Sequence, residues 1–204
     1  TSRKEREESL KKSGYNVFMI PSEMVLLDML TDSGTSAMSN NQWSGIMMGD
    51  EAYAQCHNWH NFDKAVKRVF GYEFVIPTHQ GRAAENFLFE NLLAEKKIVI
   101  TNTHFDTTRA QVWHHKGTPV DMVIAEGKDP ALDYPFKGNI DVDAAEKYIQ
   151  EKGPENVAFG FLTLTNNSGG GQPVAMANIK AYSAMLKKYD IPLFFDVARY
   201  AENC

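Results

Sequence analysis

The fold of this chain is indicated by one stretch, Ile191-Pro192-Leu193-Phe194-Phe195-Asp196-Val197-Ala198-Arg199. Its apolar residues predict a buried strand that ends in the carboxylate of Asp196, with Arg199 just beyond. A buried carboxylate is costly unless a cation or a hydrogen-bond donor accompanies it. In open α/β sheets, ligands bind outside the carboxyl ends of the strands. Asp196 is therefore expected either to face a ligand or to form a structural salt bridge.

The sequence before this strand alternates between short apolar runs and longer amphipathic stretches. Strands are predicted at residues 74–77, 98–100, 120–124, 157–165 and 191–196. Helices are predicted at residues 3–13, 61–70, 82–97, 107–115, 141–152 and 174–189. This alternation predicts βαβ crossovers, and hence an α/β fold with a mostly parallel sheet covered on both faces.

Composition narrows the classes of protein to which the chain can belong. Its 204 residues carry 21 Lys and Arg against 26 Asp and Glu, with both signs interspersed, so no basic stripe marks a nucleic-acid partner. The longest apolar runs are far short of a membrane span, so no membrane partner is expected. Two cysteines form no disulfide framework, which favours a cytoplasmic location. The histidines lack the spacing of a zinc site.

The first candidate binding motif is Thr78-His79-Gln80-Gly81-Arg82-Ala83-Ala84-Glu85-Asn86, a polar turn between a predicted strand and a predicted helix. Free backbone N–H groups and the positive dipole end at a helix start suit a phosphate. Gly81 permits close approach, and Arg82 adds a planar donor. The alternative is an ordinary capped helix start.

Two more motifs follow predicted strands. In Asn102-Thr103-His104-Phe105-Asp106-Thr107-Thr108-Arg109, Phe105 either stacks on a planar ligand or belongs to the core, and Asp106 either caps a helix or faces the ligand. In Thr165-Asn166-Asn167-Ser168-Gly169-Gly170-Gly171-Gln172-Pro173, the glycines leave space for a ligand and an Asn can donate to a phenolate oxygen. The alternative for this second motif is a loop closed by local Asx-turns.

All these motifs fall where a parallel sheet places its ligand, and that coincidence outweighs any single motif. Pyridoxal phosphate suits such an edge, because its pyridine nitrogen must stay protonated against a carboxylate if the ring is to act as an electron sink. The sequence therefore predicts a pyridoxal-phosphate site with Asp196 at the ring nitrogen.

Five segments, at residues 30–35, 48–53, 77–82, 169–174 and 196–203, closely resemble the β-eliminating lyases. These are pyridoxal-phosphate enzymes of the aspartate aminotransferase fold type that cleave tryptophan or tyrosine. The resemblance runs in order over nearly the whole chain. It implies a type I fold, of which the large domain is incomplete here. Residues 1–45 would serve the small domain and subunit contacts, and residues 46–204 would begin the large cofactor-binding domain.

The resemblance also implies roles for individual residues. The cofactor site would comprise Gln80, Gly81 and Arg82 at the phosphate, Glu85 beside them, Phe105 on the ring, Asn167 and Arg199 at the 3′-oxygen, and Asp196 at the nitrogen. Tyr53 would be the general acid, and Thr31 would lie near the substrate. The backbone carbonyls of Gly34 and Glu51 would help to bind a potassium ion. The expected oligomer is a homotetramer or at least a homodimer.

The expected substrate is an aromatic L-amino acid, and Asp106 favours tryptophan over tyrosine. Asp in the Phe-Asp-Thr-Thr context resembles the tryptophan-cleaving branch, and a carboxylate can orient an indole N–H. The family's Schiff-base lysine lies beyond the aspartate strand, and no lysine here matches it. The sequence is therefore expected to be about the N-terminal half of such an enzyme and inactive alone. The alternative is a catalytically inactive interaction subunit.

Overall fold

The computed structural model describes residues 1–27, 38–93 and 97–203. The chain divides into two compact units, Thr1–Val75 and Ile76–Cys204. No helix among the described residues is long and apolar enough to span a bilayer. The sequence predicted that residues 1–45 contribute to the small domain and to subunit contacts of a complete enzyme. This stays a prediction.

The described residues of the first unit form three α-helices: α1 (Arg3–Lys12), α2 (Asn40–Met47) and α3 (His57–Phe70). Helix α1 is capped by Ser2 and Glu5, which form a reciprocal capping box. The predicted end of α3 is confirmed, since Gly71 adopts a left-handed conformation with φ 75°. Helix α3 begins four residues earlier than predicted, and α2 was not predicted.

In the described residues of the second unit, a four-stranded parallel sheet is formed, with helices between its strands. Its elements are α4 (Gly81–Leu92), β1 (Ile98–Thr101), α5 (Asp106–His114), β2 (Thr118–Asp121), α6 (Val142–Lys152), β3 (Val157–Thr163), α7 (Met176–Lys188) and β4 (Leu193–Asp196). The strand order is β2-β1-β3-β4, and every neighbouring pair is parallel. The α/β prediction with a parallel sheet is confirmed.

The sheet is covered by two apolar clusters, as the alternation of side chains along a strand requires. Val99 packs with α4 and α5 in one cluster, whereas the next residue, Ile100, packs with α6 and α7 in the other. Central strand β3 is buried along its whole length. Gly160 in β3 leaves room for Tyr182, whose hydroxyl donates to the carbonyl of Ile100 at 2.9 Å.

Two predictions at the sheet were wrong. Residues 74–77 form no strand: Phe74 and Ile76 are 77% and 85% exposed, and the segment pairs with none of the described strands. Strand β4 is half-buried rather than buried, because it pairs only with β3 and lies at the edge of the described sheet. Asp196 is consequently half-buried as well. The remaining predicted elements are present with shifted ends.

Candidate active site

The carboxyl ends of β3 and β4 are joined directly. Thr163 and Asp196 are register partners, and the N–H of Leu164 donates to the carbonyl of Asp196 at 2.9 Å. Arg199 returns to the end of β3, where its N–H donates to the carbonyl of Leu164 at 3.1 Å and its Nη1 donates to that of Thr165 at 3.4 Å. These contacts place Asp196 and Arg199 beside the loop that carries Asn167.

That loop, residues 164–175, contains the three consecutive glycines. Asn166 and Gln172 form an isolated antiparallel bridge that closes it. The single 3₁₀ turn Asn167–Gly169 follows Asn166, whose side chain caps the turn. Gly170 has φ 78°, a left-handed conformation in which a side chain would be strained. Asn167 is consequently held on an exposed turn, where its amide is open to a ligand.

The end of β1 lies beside the same loop. The side-chain amide of Asn166 donates to the carbonyl of Thr103. Phe105 follows, half-buried, at the N-cap position of α5. Asp106 is the first residue of the helix rather than its cap, and it is exposed. The capping alternative for Asp106 is thus wrong, because the extended backbone that precedes α5 falls on Phe105.

The start of α4 has the features of an anion site. Gln80 is the N-cap residue but makes no side-chain capping bond, so the first N–H groups of the helix are not occupied by it. Apart from its chain neighbours and the helix backbone, no described residue has an atom within 4 Å of a Cβ built on Gly81, so the space beside Gly81 is open. The exposed Arg82 adds a guanidinium at the same end.

Glu85, one turn further along α4, lies between this helix start and the strand ends. Its Oε1 accepts a hydrogen bond from the buried hydroxyl of Thr108 at 2.5 Å. Burial raises the pKa of Glu85, and the negative charge of Asp196 acts in the same direction, whereas Thr108 and Arg82 oppose it. The carboxylate of Asp196 is therefore close enough to Glu85 to contribute to its raised pKa.

A buried histidine that the sequence did not single out lies just before Phe105. His104 is 3% exposed, and its Nδ1 is 2.6 Å from Oδ1 of Asp121, which ends β2. Asp121 also forms an ion pair with Arg109 of α5. Burial lowers the pKa of His104 despite the neighbouring carboxylate. Burial opposes ionisation of Asp121, but the hydrogen bonds from His104 prevail and its pKa is lowered.

Asn102, at the end of β1, is a second buried polar residue without an assigned role in the sequence prediction. It is 1% exposed and bonds to residues 36 and 61 positions away along the chain. A polar residue directly after an apolar strand was the available signal. Its hydrogen-bond partners could not be predicted from the sequence, because they belong to distant segments of the chain.

The remaining predicted site residues belong to the first unit. Tyr53 and Glu51 are exposed there, and Asp50 before them accepts hydrogen bonds from the N–H groups of His57 and Asn58 at 2.7 and 3.0 Å. This bond pair fixes the segment to the start of α3 and lowers the pKa of Asp50. Thr31 and Gly34 lie outside the described residues.

Within residues 1–27, 38–93 and 97–203, no three His, Cys, Asp or Glu side chains form a metal-binding group.

Comparison with solved structures assigns the fold. The PLP-bound C-S lyase from Staphylococcus hominis superposes with a TM-score of 0.53 over 76% of this chain and 39% of that one, at 15% identity. Identity this low defines the fold alone. The fold is that of the PLP-dependent aminotransferases, as the sequence predicted.

The sequence comparisons are more specific. The family model described as "Beta-eliminating lyase" matches residues 28–204. Tyrosine phenol-lyase from Clostridium tetani is 48% identical over 99% of this chain, and tryptophanase from Salinibacter ruber is 47% identical over all of it. The chain spans 44% and 43% of their lengths, respectively. It belongs to the β-eliminating lyase family.

Proposed function

We propose that this chain forms part of a pyridoxal-phosphate-dependent lyase that removes the side chain of an aromatic L-amino acid by β-elimination. The products are the arene, pyruvate and ammonia. The observation that carries the proposal is the row of Phe105, Asn167, Asp196 and Arg199 along one edge of the sheet, in a chain of this family.

The residues present fit this cofactor. The open helix start at Gln80, Gly81 and Arg82 would hold its phosphate by N–H groups and a guanidinium. The ring of Phe105 would lie against the pyridine, and Asp196 would keep the pyridine nitrogen protonated. When bound, pyridoxal phosphate supplies an electron sink for negative charge developing at the amino-acid α-carbon.

The 3′-oxygen of the cofactor would be held by two side chains. Asn167, on its exposed turn, can donate from its amide, and Arg199, tied to the end of β3, brings a second donor to the same edge. Glu85, which follows Arg82 on α4 and accepts a hydrogen bond from Thr108, would line the cofactor site beside the phosphate-binding residues.

Proton transfer to the leaving group would be the task of Tyr53. A phenol hydroxyl can hold a proton and deliver it to a ring carbon in a site that excludes water. The backbone at Glu51, in the same segment, would help to bind a potassium ion, and the enzyme would act as a homo-oligomer, a tetramer or a dimer. These assignments are supported by the family membership of the chain.

We infer that tryptophan is the preferred substrate and tyrosine the alternative. Asp106 is exposed at the first position of α5, directly after Phe105, so its carboxylate is open to a leaving group near the cofactor ring. Indole offers an N–H that a carboxylate can orient as positive charge develops during protonation of the ring. A phenol has no ring N–H, and this difference supports tryptophan over tyrosine.

The test is a product assay on the protein expressed from its complete reading frame. With added pyridoxal phosphate, it should release pyruvate with indole from L-tryptophan faster than pyruvate with phenol from L-tyrosine. A preparation from the same host without the expressed gene reports contaminating host activity. Faster release of phenol would reverse the substrate assignment. Failure to bind the cofactor or to form either product would favour the inactive interaction subunit.

A further inference from the structure

Asn102 is the most completely bonded buried side chain at this edge of the sheet. Its Oδ1 accepts from the hydroxyl of Thr101 at 3.0 Å and from the N–H of Thr163 at 3.2 Å. Its Nδ2 donates to the carbonyls of Gly138 and Thr163 at 2.9 and 3.3 Å. Both amide donors and both acceptor positions of the side chain are thus used.

The partners of Asn102 lie at both ends of the glycine loop, residues 164–175. Thr163 directly precedes the loop. Gly138 packs against its other end, since its N–H donates to the carbonyl of Pro173 at 3.1 Å. A Cβ on Gly138 would come within 2.4 Å of the carbonyl oxygen of Gln172. The two backbone segments are therefore packed too closely for any side chain at position 138. Asn102 therefore holds the start of the loop directly and its end through Gly138.

A third contact connects the end of β1 to the residue that caps the Asn167 turn. Thr103, the neighbour of Asn102, accepts a hydrogen bond from the side chain of Asn166, which precedes Asn167 and caps its turn. The end of β1 thus contacts the start of the loop at Thr163 and Asn166 and, through Gly138, its end. Phe105 lies two residues after Thr103 in the sequence. The spacing between Phe105 and Asn167 is consequently set by this set of bonds.

We propose that Asn102 is a positioning residue for Asn167: it fixes the glycine loop where the Asn167 amide can donate to the 3′-oxygen of the cofactor. This inference rests on the proposed function. Donation to a phenolate oxygen stabilises its deprotonated form, so the ionisation of the bound cofactor reports the position of Asn167. That ionisation is visible as a pH-dependent change in the absorbance of the bound cofactor.

The experiment compares Asn102→Ala with Asn178→Ala in the protein expressed from its complete reading frame and loaded with pyridoxal phosphate. Asn178 exchanges two hydrogen bonds with Ile140, on the segment that follows Gly138, but it does not bond to Thr163. The control therefore removes two hydrogen bonds between a half-buried Asn of α7 and the backbone of the segment that follows Gly138. Asn102→Ala should shift the pH midpoint of the cofactor absorbance and weaken cofactor binding on the order of tenfold. Asn178→Ala should lower the melting temperature but leave the midpoint unchanged.

A double variant separates positioning from general destabilisation. If Asn102 acts through Asn167, then Asn102→Ala should shift the midpoint no further in an Asn167→Ala background. Equal midpoints in wild type and Asn102→Ala, or additive shifts in the double variant, would overturn the inference and leave the proposed function intact. If Asn102→Ala does not fold, Asn102→Ser, which keeps a hydroxyl for Thr163, provides the same comparison. A wild-type protein that binds no cofactor would overturn the proposed function itself.

Discussion

Leu164 and Asp196 are joined by a backbone hydrogen bond of 2.9 Å, from the N–H of Leu164 to the carbonyl of Asp196. The residue proposed to hold the cofactor nitrogen is therefore fixed to the first residue of the loop proposed to hold its 3′-oxygen. The same edge of the sheet thus determines the distance between the group proposed to bind the ring nitrogen and the loop proposed to bind the 3′-oxygen. Precise spacing of this kind is what a bound ring requires, because misplacement of about 1 Å can cost catalysis heavily.

The first prediction concerns the charge of Asp196. Asp196→Asn should retain cofactor binding but lower β-elimination at least about a hundredfold, because a neutral amide cannot keep the pyridine nitrogen protonated. Cofactor absorbance and pyruvate formation are the measurements. The side chain also accepts a hydrogen bond from Ala198 at 3.0 Å, which an amide oxygen preserves. Near-normal turnover in this variant would contradict the assignment.

The second prediction concerns the phosphate. Arg82→Ala should weaken pyridoxal-phosphate binding by roughly 1.5–3 kcal/mol, the typical contribution of a charge-assisted hydrogen bond. The dissociation constant is measured by titration of the apoprotein. Lys180→Ala, which removes an exposed cation from α7, is the control and should leave the constant unchanged. Equal constants for Arg82→Ala and wild type would argue against the α4 start as the phosphate site.

The third prediction separates two proton transfers. Tyr53→Phe should slow the release of the aromatic group, while exchange of the substrate α-proton with solvent deuterium continues. The exposed Tyr72 of the same unit provides a matched control, Tyr72→Phe, which should change neither rate. Exchange is followed by NMR and release by absorbance. A parallel loss of both rates in Tyr53→Phe would mean that Tyr53 acts earlier or supports the structure.

The fourth prediction concerns substrate choice. Asp106→Thr should lower kcat/KM for L-tryptophan more than for L-tyrosine, by about tenfold in the ratio, since one orienting hydrogen bond to the indole is lost. Folding should be little affected, because Asp106 is exposed and is not the cap of α5. The ratio of the two specificity constants is the measurement. An unchanged ratio would remove Asp106 from the specificity argument.

The fifth prediction concerns stability and pH. The pKa of His104 is lowered by burial, so the unfolded chain takes up a proton below pH about 6.5 while the folded chain does not. The free energy of unfolding should therefore fall as pH drops through this region, by up to about 1.4 kcal/mol per pH unit. At still lower pH, the free energy of unfolding should fall further as the Asp121 carboxylate is protonated, because the pKa of Asp121 is lowered in the folded chain.

Urea denaturation across this pH range measures the effect. His104→Gln should flatten the dependence near pH about 6.5, whereas the same change at exposed His114 should preserve it. Gln can still donate to Asp121, so the comparison isolates the titration. An identical slope in wild type and His104→Gln would show that His104 does not contribute to it.

The ends of individual helices in this fold were determined by short sequence patterns. The capping box of Ser2 and Glu5 and the left-handed Gly71 involve residues within one helical turn, so the sequence alone specifies them. The alternation of apolar strands with amphipathic helices likewise determined the parallel sheet. Because parallel strands present their carboxyl ends at one edge, the sequence also located Phe105, Asn167 and Asp196 there.

Only the tertiary structure decided how these parts are joined. The apolar run before Asp196 predicted a buried strand, but burial depends on which neighbours cover a strand, and β4 pairs only with β3 among the described strands. The apolar residues 74–77 form no strand for the same reason, since a strand requires a partner. Asn102 and His104 bond to residues 61 and 17 positions away, respectively. Such contacts follow from three-dimensional packing, and no local periodicity encodes them.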